Sequence, residues 1–286
     1  MIARMRSVGT LISALAAAAL VTLAACAPAA GESAPGRPRC TKDSLPTLYR
    51  GVFTFGTDQP VYPPWYMGDN PASGEGFEPA LAYAVADKLG YARQDVRWVR
   101  VAFNAALAPG PKTFDANLSE FSITQQRKAA ADFSSPYFAV TQAVVTVKSS
   151  PASGVRTIEG LKPLKLGVQV GTTSYTAATA VNGIVPAAVY NTNSDAKLAL
   201  SNREIDALVV DLPTAFAVAS ELRDGRIVGQ LPNGSTDPEQ FGIVLDKGSS
   251  LTRCVSSTVD ALRDDGTLAT LERQWLADAG KAPVLA

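Results

Sequence analysis

The chain has 286 residues, 47% of them hydrophobic, and it balances 26 Lys and Arg against 26 Asp and Glu without a single histidine. That length and apolar content suit one large domain or two medium ones, and a neutral chain without basic blocks gives no electrostatic case for nucleic acid or an acidic polymer as partner. Absent histidine removes the commonest metal ligand and the commonest general base at neutral pH, so composition tilts towards binding, with neither metal nor cofactor expected.

Residues 1–25 read as an export signal outside the fold. Arg4 and Arg6 form a short positive start, and an apolar stretch follows from Leu11 to Ala25. The stretch is too short and too poorly flanked for a transmembrane anchor. It ends in Leu23-Ala24-Ala25-Cys26, which resembles the bacterial lipobox, in which the cysteine is lipidated and becomes the first residue of the mature chain. The bland alternative is an ordinary signal that happens to contain a cysteine. A diacylated Cys26 holds the protein at the outer face of the membrane, because paired acyl chains give stable attachment. Removing Arg4 and Arg6 leaves 24 basic against 26 acidic residues. Residues 26–43, dominated at first by Ala, Pro, Gly and Ser, cannot bury a core and read as a flexible tether. Setting Cys26 aside leaves Cys40 and Cys254, an even pair that outside the cytoplasm suggests a disulfide rather than two buried thiols.

Tyr49 to Thr57 reads as a first strand, and Pro60, Pro63, Pro64 and Gly68 force a loop carrying Tyr62, Trp65 and Tyr66. Glu78 to Leu89 has Leu81, Val85 and Leu89 at helical spacing, with Pro79 near its start and Gly90 past its end. Asp95 to Val101 is a second strand, Phe114 to Leu118 leads into a third, and Gln125 to Ala131 is a short polar helix. Val140 to Val147 is β-rich. A new alternation then begins. Strands at Leu164 to Val170, Val189-Tyr190 and Ala207 to Val210 are each followed by a helix, at Ser174 to Val181, Ser194 to Leu200 and Pro213 to Leu222. Phe241 to Leu245 is a strand leading to helices near Leu251 to Arg263 and Leu268 to Leu276. Strands alternating with helices imply βαβ units, and two such runs imply two α/β lobes.

Six short signatures stand in one order along the chain. They are Gly76-Phe77-Glu78 through Leu89-Gly90, then Ser122-Ile123-Thr124 through Arg127 with Phe133-Ser134-Ser135-Pro136-Tyr137, then Leu166 through Gly171-Thr172-Thr173. Asp206-Ala207 through Asp211 and Pro213, Phe241-Gly242-Ile243, and Asp265-Gly266-Thr267 through Trp275 complete the set. Over about residues 45 to 278 the chain resembles the family 3 bacterial solute-binding proteins, the amino-acid branch of the type II periplasmic binding fold. The resemblance implies an α/β protein of two lobes with mixed, mostly parallel sheets flanked by helices and joined by two hinge strands, near Ala139 to Thr146 and Leu231 to Gly242. Lobe one takes residues 44–140 and 241–286, and lobe two residues 141–240. It also implies a monomer that delivers an amino acid to a permease and an ATPase on separate chains. Two departures stand out. Pro79-Ala80 follows Glu78 where the family often has a second acid, and Asn117 to Phe121 is more polar than the usual glycine-rich form.

An α-amino acid carries a carboxylate and an ammonium, and burying either unpaired is expensive. Arg127 is the candidate carboxylate clamp, since a guanidinium donates two parallel bonds; its plain reading is a solvated arginine. Thr172 and Thr173, where a strand opens into a helix, are placed to hold an anion or simply to cap. Asp211 takes the ammonium by resemblance, while its spacing alone suits an N-cap. Ser122 and Gln169 are further candidate contacts. Tyr62 and Trp65 are placed to stack on the ligand or to pack in the loop. Asp58 and Glu120, if both face the pocket, favour a basic side chain. Rival readings are an enzyme of the cyclohexadienyl dehydratase type on the same fold and a receptor module that signals without transport.

Overall fold

The computed structural model describes residues 40–232, 238–276 and 282–286. In the first part of the chain, strands β1 (Phe53–Thr57), β2 (Val96–Arg100), β3 (Ala116–Asn117) and β4 (Ala131–Phe133) alternate with helices α1 (Phe77–Lys88), α2 (Phe103–Leu107) and α3 (Gln125–Lys128). Strands β5 (Phe138–Val140) and β6 (Gln142–Val147) follow, then α4 (Ile158–Leu161), β7 (Leu166–Gln169) and α5 (Thr173–Ala180). The chain goes on through β8 (Ala188–Tyr190), α6 (Asn193–Ser201), β9 (Ala207–Asp211), α7 (Leu212–Glu221) and β10 (Gly225–Gln230). It closes with β11 (Glu239–Phe241), β12 (Val244–Asp246), α8 (Thr252–Asp264) and α9 (Thr267–Trp275).

These strands build two five-stranded sheets, β2-β1-β3-β12-β4 and β10-β6-β9-β7-β8. In the first, β1 pairs parallel with β2 and β3, and β12 pairs antiparallel with β3 and β4. In the second, β7 pairs parallel with β8 and β9, and β6 pairs antiparallel with β9 and β10. Both sheets are therefore evenly mixed, where parallel pairing was expected to dominate. The reason is that each sheet accepts a strand arriving from the other half of the chain, β12 in one and β6 in the other.

Residue choice explains the layering. Every residue of β1 and β6 is buried, the mark of a strand covered on both faces. Helix α1 follows Gly76 with Pro79 in its first turn, where a missing N–H costs nothing. It joins α8 and α9 in one core with Phe53, Phe55 and Tyr91. The second sheet separates two smaller cores, one under α6 and α7 and one including Ala178 of α5. The expected polar helix at 125–131 stops at Lys128, because Ala131–Phe133 is drawn into the sheet against β12. Strand β10 and helix α2 had no strong periodic signal and were not anticipated.

Between the two sheets, β5 and β11 pair antiparallel as a small two-stranded sheet. The chain passes from one large sheet to the other beside this pair, first between β4 and β6 and again between β10 and β12. One assignment is corrected. Residues 282–286, expected with the first lobe, lie on the second sheet. Gln230 N–H donates to the Pro283 carbonyl at 2.7 Å, Leu285 N–H donates back to Gln230 at 2.9 Å, and Leu285 is buried in that sheet's core. Apolar burial captures the chain end regardless of where the preceding helix packs.

Cys40 and Cys254 form a disulfide that ties the start of the described chain to α8. Among the described residues no helix is long and apolar enough to cross a membrane. Cys26, Arg4, Arg6 and the lipobox lie outside the described residues.

Candidate functional site

One cleft collects residues from both large sheets. From the side of the first come Asp58, Tyr62, Phe103, Ser119, Glu120, Ser122 and Arg127; from the second come Gln169, Thr172, Thr173, Ser174, Asn193 and Asp211. The cleft holds ≈ 510 Å³ of unfilled space, its mouth included.

Arg127 sits in the last turn of α3, whose N-cap Thr124 accepts the Arg127 N–H. Its Nη1 donates to the Ser122 carbonyl at 2.8 Å and its Nη2 to the Gly171 carbonyl at 3.0 Å on the far side. The guanidinium carbon lies 5.4 Å from the centre of the Phe103 ring, a cation–π contact that orients the fork. Burial pulls its pKa down, and the charges of Glu239 and Asp211 oppose that pull.

Asp211 ends β9 at the N-cap position of α7, as its spacing suits, but its carboxylate makes no capping bond there. Its Oδ1 instead accepts from Gln142 Nε2 at 2.7 Å. Burial, reinforced by the nearby Glu239 charge, pushes the carboxyl up to about 8. A cation placed beside such a buried acid favours its charged form and draws the proton off.

Thr172 is the N-cap of α5, accepting from Tyr175 N–H at 3.2 Å, and Thr173 lies beside it in the cleft wall. Capping and lining thus coexist. Ser122 Oγ donates to Glu239 Oε1 at 2.5 Å and meets Thr173 Oγ1 at 3.1 Å across the cleft. Gln169 Oε1 accepts from Asn193 N–H at 3.0 Å, which fixes the start of α6 against the wall. Tyr62 accepts on its hydroxyl from Ser194 N–H at 3.1 Å.

Glu120 has φ 55°, a left-handed backbone unusual for its size. Its N–H donates to Glu78 Oε1 at 2.7 Å. Burial raises the Glu120 carboxyl well above its ordinary value, and the charges of Glu78, Asp211 and Asp58 add to the effect. Glu78 itself is pushed by burial up to about 7. Asp58 lines the same cleft and is raised by burial, with hydrogen bonds from the Gln59 and Phe103 backbone and the Arg100 charge acting the other way.

Trp65 is the exception. Its side chain is fully buried, wedged at 5.3 to 5.8 Å from the Phe77, Phe138 and Phe241 rings, and it does not line the cleft. The Pro-rich loop turns Tyr62 to the cleft and Trp65 to the core, so the packing alternative holds for Trp65. Sequence reading missed Phe103, Ser119, Ser174 and Asn193 in the wall, and Gln142 and Glu239 just behind it. Asn193 follows directly after a helix-capping threonine, which was a usable signal. Glu239 carried none, since its strand is three residues long. Among the described residues no cluster of His, Cys, Asp and Glu is arranged to hold a metal ion.

The chain is similar to known proteins. The chain is 27% identical over 240 residues to the L-arginine-binding protein of Pseudomonas aeruginosa, covering 78% of this chain and 90% of that protein. An ancestral arginine-binding protein solved with glutamine superposes with a TM-score of 0.68 at 30% identity, covering 80% of this chain and all of that one. An ancestral amino-acid-binding protein described as a precursor of cyclohexadienyl dehydratase gives 0.67 at 28% identity, covering 79% and 96%. The model of the bacterial extracellular solute-binding proteins, family 3, matches residues 53–278, and the chain belongs to that family.

Proposed function

We propose that this protein is the substrate-binding component of an ABC importer and takes an amino acid into the cleft. The single observation that carries the reading is that Arg127 and Asp211 line one cavity from opposite sheets. A guanidinium suits the carboxylate of a zwitterion and a buried acid suits its ammonium. The two sheets, with their helices, act as lobes that close about β5 and β11, residues 44–140 and 241–276 in one and 141–240 in the other. A ligand held from both sides favours the closed arrangement, because only closure lets all partners engage.

The side chain recognised is basic. Arg127 is the one cation among the described lining residues, while Asp58, Glu120 and Asp211 line the cleft and Glu239 stands behind it. Burial raises Asp58, Glu120 and Asp211 in the empty cleft, and a cationic side chain is the partner that favours the charged form of such carboxyls. The site binds without bond chemistry, a reading supported by relatives that are named for what they bind. Calorimetry with arginine, lysine, glutamine and glutamate tests the charge reading: tightest binding of arginine or lysine supports it, and tightest binding of glutamate contradicts it. Turnover of prephenate or arogenate by the purified protein would replace the binding role with an enzymatic one.

The protein works as a lipid-anchored monomer at the outer face of the membrane, with Cys26 diacylated and the permease and ATPase on separate chains. Cys26→Ser is expected to release the protein from the membrane fraction into the soluble one.

A further inference from the structure

Trp65 and Glu120 lie on the side of the first sheet, and Thr214 lies in the first turn of α7 beside the second. The Trp65 indole N–H donates to Thr214 Oγ1 at 2.8 Å, and Thr214 Oγ1 stands 3.4 Å from Glu120 Oε2. Thr214 is 1% exposed. It is absent from the wall of the amino-acid cleft, which Glu120 lines.

We propose that Thr214 is a positioning residue that fixes the Glu120 carboxylate when the two sheets come together, and so sets the preference of the cleft for a cationic side chain. This deepens, and rests on, the reading of the cleft as a site for a basic amino acid.

The direction of the relay follows from chemistry. An indole N–H can only donate, so the Thr214 oxygen accepts there, and its one hydroxyl proton is left for Glu120 Oε2. The donor cannot swing away, because the Trp65 ring is held by Phe77, Phe138 and Phe241. Glu120 is pinned at its other end as well, where its left-handed backbone donates N–H to Glu78 at 2.7 Å. Glu120 is therefore held by its backbone through Glu78 on the first side, and its carboxyl meets Thr214 from the second. Without Thr214 the Glu120 side chain keeps its backbone anchor and loses its only partner from the opposite side among the hydrogen bonds of the described residues.

The test compares Thr214→Val, Thr214→Ser and Glu120→Gln with the parent protein. The probes are L-arginine and L-citrulline, which share a length but differ in charge. Calorimetry at neutral pH gives the ratio of their affinities. The parent is expected to prefer arginine, and Thr214→Val and Glu120→Gln each to lower the ratio by about tenfold or more. Thr214→Ser, which keeps the hydroxyl, should restore it to within about threefold. A Thr214→Val ratio within about twofold of the parent, including equal weakening for both probes, overturns the proposal. Exchange of the Trp65 indole N–H, followed by NMR with and without arginine, judges the relay independently. Protection in the parent that is lost in Thr214→Val supports it, and equal exchange in both overturns it. A parent that binds neither probe but shows this protection would leave the relay standing and remove the amino-acid reading.

Discussion

Arg127 reaches across the cleft to Gly171, its Nη2 donating to the Gly171 carbonyl at 3.0 Å while Nη1 stays on its own side with Ser122. One guanidinium thus touches both walls and holds its plane at a fixed angle to the cavity. A lysine can supply the charge but not the fork. Arg127→Lys is therefore expected to weaken amino-acid binding by about 10- to 100-fold, the loss of one charge-assisted bond with imperfect replacement, measured by calorimetry. Unchanged affinity would remove Arg127 from the site.

Gly171 stands close to the opposite wall. Its φ is +76°, and a Cβ there would stand 2.0 Å from Asn104 Oδ1 of α2. Gly171→Ala meets two obstacles, a left-handed backbone and a side chain from the opposite side. It should reduce affinity by about tenfold or more and leave a more open average shape in small-angle scattering. Adding Asn104→Ala removes the clash but not the backbone cost, so it should recover affinity in part.

The Asp211 carboxyl is raised from 3.8 to about 8, chiefly by burial. A carboxyl with a raised pKa keeps its proton in the folded protein at pH values where the unfolded chain has lost it. The stability this gives is full below about pH 4 and is lost as pH rises towards about 8. Glu78, raised to about 7, acts in the same direction. Melting temperature without ligand should fall across that window, and Asp211→Asn should flatten the slope. The same variant should lose affinity by about tenfold or more, because a neutral amide replaces the ammonium partner. A slope unchanged in Asp211→Asn would show that the carboxyl is not buried as described.

The disulfide closes a sequence separation of 214 residues and joins Cys40 to α8, which contributes no residue to the cleft wall. Replacing both cysteines by serine should cost about 2–5 kcal/mol in denaturant unfolding. Ligand affinity should stay within about threefold of the parent, since no group lining the cavity is changed.

Much of this was legible in the chain itself, for reasons tied to particular residues. Pro79 and Gly90 bracket α1, and Gly171-Thr172-Thr173 marks the turn from β7 into α5. Local rules marked Thr172 and Thr173, whereas Arg127 and Asp211 joined them only through the family resemblance that the ordered signatures carry. The loop after β1 was harder. Tyr62 and Trp65 are equivalent as sequence, and only the aromatic cluster of Phe77, Phe138 and Phe241 decides that the indole goes inward. Gln142 and Glu239 were out of reach because they come from strands distant in sequence and meet only where the start of β6 lies beside the small β5–β11 pair. The chain end was misplaced for a similar reason, as pairing of residues 283–285 with Gln230 is a long-range contact that no periodicity announces.

The central claim is that Arg127 and Asp211 grip opposite ends of one zwitterion. A crystal structure of the protein grown with L-arginine tests it most directly. The account predicts density in the cleft with the α-carboxylate on the Arg127 guanidinium and the α-ammonium on the Asp211 carboxylate. An arginine bound with its α-groups away from these two residues, or a cleft left without it at saturating concentration, would contradict the account.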